Sequence, residues 1–173
     1  MTAIDSSNDY RAEYLGGPPP ETHVQLDGGG EARWFAGMLA VIKARADQTG
    51  GLLTTLEIIA PPGAAAPLHT HHAEDEGFLI LEGEVTFLVG EETIEAKAGD
   101  WLFGPRDVQH TFTVGPNGAR MFWTLTPGGF DRFVVDASEP AQAMTPPPSF
   151  QPDEAYVAWL KDVAARHSIT LHV

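Results

Sequence analysis

Pro62–Gly83 reads PGAAAPLHTHHAEDEGFLILEG. His69 and His71 stand two residues apart, and in an extended chain alternate side chains share a face, so both imidazoles can reach one ion. A turn through Ala73–Asp75 brings Glu76 in from the following strand. His110, in GDWLFGPRDVQHTF (Gly99–Phe112), joins them only if the chain folds back on itself, as a barrel does. Three imidazoles and a carboxylate form a mixed nitrogen and oxygen set suited to one borderline divalent ion, Fe, Mn, Co, Ni or Zn. His72, Glu74 and Asp75 also come within reach of an ion if the turn is drawn differently. Alternation turns His72 away from His71 and toward solvent or an outer position.

Outward from this stretch, glycine and proline punctuate the chain into short pieces. Leu52–Ala60, Phe78–Leu81, Trp101–Phe103, Gln109–Val114 and Ala119–Leu125 read as strands, and Glu84–Ala96 as a hairpin turning at Gly90-Glu91. Pro116-Asn117-Gly118 reads as a second tight connection. Regularly spaced strands without helices between them point to an antiparallel sandwich or barrel. Near the C-terminus the periodicity changes. Asp153–Arg166 places Tyr156, Leu160, Val163 and Ala164 on one helical face, with acidic residues at its start and Arg166 and His167 at its end to complement the helix dipole. These signals divide the chain into an N-terminal arm over residues 1–34, a barrel over 35–136 and a C-terminal extension with one helix over 137–173.

At 173 residues the chain suits one core. It has no cysteine, which excludes disulfides and thiolate metal sites. Ten basic against twenty-four acidic residues give a net charge of −14, which disfavours nucleic acid and anionic membrane as partners. No stretch approaches the roughly 20 apolar residues of a membrane helix. The N-terminus lacks the basic and apolar regions of a secretory signal, so cytoplasm is the expected location.

The spacing of Gly63, five residues, His69-Thr70-His71, four residues, Glu76, six residues and Gly83 resembles the first motif of the cupin superfamily. Gly99, five residues, Pro105 and then His110 resemble the second motif. Asp107 departs from a position usually held by glycine, and Val114 from one often held by asparagine. Further similarity to the flavonol-cleaving, quercetin 2,3-dioxygenase-like group of single-domain cupins extends through LEGEVTFLVG, PGGFDRF and the C-terminal helix. The resemblance implies an all-β, double-stranded β-helix (jelly-roll) barrel with one C-terminal helix, and a divalent ion held by His69, His71, Glu76 and His110.

It also implies a dioxygenase acting on a flavonol-like or other enolisable or aromatic molecule, with Glu76 as the base. Phe112 shares the strand face of His110, and Phe78 that of Glu76, so both are candidate pocket walls. Two other classes remain open on the sequence: a metal-dependent cyclase, isomerase or lyase, and a binding module that leaves its ligand unchanged. Barrels of this kind commonly dimerise, so a homodimer is expected. His23, His167 and His172 read as surface residues.

Overall fold

The computed structural model describes residues 22–26 and 28–173. Residues 1–21 and 27 of the expected arm lie outside the described residues. Ten strands form in order among the described residues: β1 (Glu31–Phe35), β2 (Met38–Ala44), β3 (Thr54–Ala60), β4 (His69–His71), β5 (Asp75–Val89), β6 (Glu92–Lys97), β7 (Trp101–Gly104), β8 (His110–Thr126), β9 (Ser138–Pro140) and β10 (Ile169–Leu171). Among the described residues two helices, α1 (Phe130–Asp136) and α2 (Glu154–Arg166), accompany them.

All pairings are antiparallel, and the two long strands β5 and β8 organise them. The first half of β5 pairs with the second half of β8 and with β7, while the second half pairs with the start of β8 and with β6. Along the first layer, β8 continues through β3, β2 and β1 to β9; along the second it continues through β4 to β10. The two layers therefore share their central strands, which is the jelly-roll arrangement expected. Among the described residues, regular structure begins at Glu31, inside the segment read as arm. The segment read as a C-terminal extension contributes β9 and β10, which pair with β1 and β4.

Alternation explains how the core closes. In β3, Thr54, Leu56, Ile58 and Ala60 point inward while their neighbours remain half-buried. The same period places Met121, Trp123 and Leu125 of β8 inside. These side chains join Phe78, Phe87 and Phe112 in one hydrophobic cluster that spans both layers. Burying each such side chain contributes about 1.5–3 kcal/mol.

The structure corrects two expectations. Pro116-Asn117-Gly118 does not end a strand. Pairing passes from Val85↔Val114 to Gly83↔Ala119, so Gly115–Gly118 is extruded as a bulge within β8 while the strand continues. The second correction is a further helix, α1, next to Pro127-Gly128-Gly129, where one C-terminal helix was expected. The C-terminal helix itself forms as Glu154–Arg166, with the Asp153 carboxylate accepting the backbone N–H of Tyr156 at 2.8 Å. That cap satisfies one of the orphan N–H groups of its first turn. Leu160, Val163 and Ala164 form its buried face.

Candidate metal centre

Strand β4 carries His69 and His71 on one face, as the period of two requires. Glu76 follows near the start of β5, and His110 opens β8 directly opposite His69. The loop before His110 is tied down at two points. The backbone N–H of Asp107 donates to the carbonyl of His71 at 2.8 Å, and Arg106 grips the Asp75 carboxylate through its backbone N–H and its guanidinium at 2.7–3.1 Å. Asp107, the departure from a glycine position, has φ +63. Aspartate tolerates this left-handed geometry better than most residues. Its carboxylate accepts from His72 Nδ1 at 2.7 Å, and His72 Nε2 lies 2.9 Å from Thr170 Oγ1, so His72 faces away from the cluster.

One donor atom from each of His69, His71, Glu76 and His110 lies within 4.8 Å of the others. Glu76 Oε2 is 3.5 Å from His71 Nε2 and 3.4 Å from His110 Nε2. Two donors about 2.1 Å from one ion stand about 3.0 Å apart at a right angle and about 3.4 Å apart at the tetrahedral angle, so these two Glu76 spacings fit a shared cation. Tautomers fit as well. His69 Nδ1 donates to the carbonyl of Pro67 at 2.7 Å and His110 Nδ1 to that of Val108 at 3.0 Å. A carbonyl only accepts, so each Nδ1 carries the proton and each Nε2 is the nitrogen left for an ion.

Burial, followed by the charges of His110 and His71, pushes the pKa of His69 down to about 3. Burial also tends to raise the pKa of Glu76, but the hydrogen bond from His110 and the charges of all three imidazoles outweigh it and hold the carboxyl below its ordinary value. For His110, burial works downward, and the hydrogen bond and charge of Glu76 reverse the balance and raise its pKa. Both shifts have the same cause: each group favours the charged form of the other across the Glu76–His110 contact. An arriving cation competes with that pairing, because metal ligands bind deprotonated.

An apolar cavity of about 50 Å³ borders the cluster, lined among others by Phe78, Phe112, Trp123, Phe130, Phe133 and Leu160. The structure thus brings Phe78 and Phe112 to the cavity wall together with His69, His71 and Glu76. Sequence reasoning missed Phe130 and Phe133 on α1, Leu160 on α2, and Ile169 and Leu171 on β10, which also line it. A signal for the first two was present in the three-residue spacing of aromatic residues in FDRF. Of the outlying histidines, His23 Nε2 lies 3.1 Å from the carbonyl of Lys43. His167 Nε2 is 2.8 Å from Asp136 Oδ2 and His172 Nε2 is 2.8 Å from Thr70 Oγ1, both away from the cluster.

A model of the family described as Cupin domain matches residues 56–125. That segment takes in both motifs and most of strands β3 to β8, and together with the fold it supports a likeness to the cupin superfamily. A curated relative, quercetin 2,3-dioxygenase from Bacillus subtilis, is 26% identical over 118 residues, covering 68% of this chain. The match spans about a third (35%) of that relative's length. Among solved structures, an RmlC-like cupin from Shewanella frigidimarina superposes with a TM-score of 0.57 at 22% identity, over 66% of this chain and 99% of the other. KdgF from Halomonas sp. gives 0.56 at 15% identity, over 65% and 98% respectively. At such identities the structural likeness establishes the fold alone. Among the described residues no helix is long and apolar enough to cross a membrane.

Proposed function

We propose that the chain is a metal-dependent dioxygenase of the cupin type, with one divalent ion on His69, His71, Glu76 and His110, acting on a compact enolisable or aromatic molecule. The observation that carries this reading is the convergence of four nitrogen and oxygen donors beside an apolar cavity. Four protein ligands leave one or two positions open on a five- or six-coordinate ion. When bound, the ion supplies Lewis acidity that lowers the pKa of a substrate hydroxyl. Glu76, held ionised by its neighbours, is the group placed to accept the released proton. The rings around it exclude water and strengthen each electrostatic contact. Trp123 adds a polar handle: it lines the cavity, and its indole N–H, fully buried, has no partner among the described residues, which suits a substrate bearing a carbonyl or enolate oxygen.

Size refines the substrate. The cavity of about 50 Å³ is far below the ~300 Å³ at the lower end of usual ligand pockets. This favours small enols over a flavonol, which would require α1 and α2 to part. The test is an oxygen electrode with metal-loaded protein and a panel running from flavonols down to small diketones. Oxygen uptake matched to substrate loss is the expected result. Turnover under strict anaerobiosis would assign a Lewis-acid cyclase, isomerase or lyase instead, and tight binding without conversion would assign a binding module. Glu76→Gln is expected to cost ~100-fold or more in turnover, the usual scale of general acid–base catalysis. Full turnover in this variant, with metal retained, would remove Glu76 from proton transfer.

We also infer that the protein works in the cytoplasm as a homodimer. Trp101 and Phe103 support the second copy: they stack with centroids 6.0 Å apart, are 62% and 49% exposed, and lie on β7, which pairs only with β5 among the described strands. Exposed paired aromatics on a sheet edge favour an apolar contact. Light scattering on the purified protein should give twice the chain mass, falling toward one chain in Trp101→Ser. A monomer in the parent protein contradicts the dimer.

A further inference from the structure

Three buried side-chain polar atoms have no hydrogen-bond partner among the described residues: His71 Nδ1, Glu74 Oε2 and Trp123 Nε1. The first two face each other at 3.7 Å. The three imidazoles of the cluster are therefore not equivalent. His69 and His110 each give their Nδ1–H to a backbone carbonyl two residues earlier. His71, whose Nε2 faces Glu76, instead turns its Nδ1 toward a carboxylate. Glu74 sits in the turn between β4 and β5, where a charged residue would ordinarily be solvated, yet it is only 7% exposed. Gly129 leaves the space it occupies, since a Cβ there would come within 3.1 Å of Glu74 Oε1.

We propose that Glu74 is a positioning residue for the metal centre: with a cation in place, its carboxylate accepts the Nδ1–H of His71, fixing the ring and strengthening Nε2 as a ligand. This rests on the metal-binding reading above. Carboxylates behind ligating imidazoles orient the ring and increase its basicity. The gap of 3.7 Å is just beyond hydrogen-bond range, so a small rotation of either side chain closes it. A purely structural pair would be an odd use of this residue, because a buried carboxylate with few partners costs more in desolvation than a neighbour at that distance returns.

The two roles separate experimentally. Glu74→Ala, Glu74→Gln and Gly129→Ala are compared with the parent for zinc affinity by chelator competition, for the apo unfolding temperature, and for the His71 ring by nitrogen-15 NMR of the zinc-loaded protein. Affinity is expected to fall ~10–100-fold in Glu74→Ala, the scale of losing an outer partner. Glu74→Gln falls less, because its amide oxygen still accepts without the charge. Gly129→Ala falls by crowding the carboxylate while leaving every charge in place, and it carries the test if Glu74→Ala does not fold. The apo unfolding temperature stays level or rises in Glu74→Gln. The loaded parent shows a downfield Nδ1–H proton on His71 that Glu74→Ala loses. Affinities within about threefold of the parent, far short of an outer-partner effect, or an apo protein that loses stability in step with affinity, would overturn the role of Glu74. A parent chain that takes up no zinc would overturn the metal centre itself, a different and prior failure.

Discussion

His110→Ala is expected to weaken divalent-ion binding by more than ~100-fold, beyond the ~10–100-fold usually lost with an outer partner alone. Two effects compound. The variant removes the one ligand that β8 brings to the β4–β5 pair, and it removes the hydrogen bond that is the largest influence holding the Glu76 carboxyl down. Burial, which raises the pKa of Glu76, then meets less opposition, and a carboxyl that keeps its proton is a poor ligand. His110→Gln fills more of the space between Phe78 and His69 and should show nearly the same loss, which separates ligation from packing. Chelator competition measures both, and parent-like affinity in either variant contradicts the assigned role of His110.

The second large effect concerns folding. Gly83 ends the first motif, has φ +82, and lies where the pairing of β5 with β8 slips. A Cβ there would stand 2.1 Å from the carbonyl oxygen of Gly118 and 2.9 Å from Ala119 Cα, contacts with backbone that only separation of the two central strands can relieve. Gly83→Ala should therefore lose ~3 kcal/mol or more, combining ~1–2 kcal/mol for left-handed backbone with ~1–3 kcal/mol for overpacking. Gly63, at the start of the same motif, has φ +73 but open space around it. Gly63→Ala should cost only the backbone term of ~1–2 kcal/mol. Denaturant unfolding of the two variants measures the difference, and equal losses would show that the close approach at Gly83 does not matter.

These cases indicate what the sequence made legible. His69 and His71 were readable as one face because strand geometry has a period of two, and His110 because its spacing from Gly99 and Pro105 matched a known motif. Leu160, Val163 and Ala164 were readable as the buried face of a helix because thirteen residues are long enough to display a 3.6-residue period. Helix α1 has seven residues, fewer than two full turns, so its pattern was too short to detect. Gly115–Gly118 misled because glycine and proline mark an extruded bulge as readily as a loop end. Glu74 was hidden for another reason: a glutamate in a polar turn is usually solvated, and only the space left by Gly129, 55 residues further on in sequence, shows where its carboxylate goes. The roof of the cavity was invisible in the same way, because Phe130, Leu160 and Ile169 converge on it from separate elements.

The central claim is that a distant imidazole and three clustered side chains clasp a single cation. X-ray absorption at the metal edge, on protein purified without an affinity tag and reconstituted with Co(II) or Zn(II), tests it most directly. One ion per chain with three nitrogen donors at about 2.0–2.1 Å and an oxygen donor at about 2.0–2.2 Å is the predicted result. An ion count near zero after reconstitution, or a first sphere of oxygen atoms without imidazole, would contradict the account.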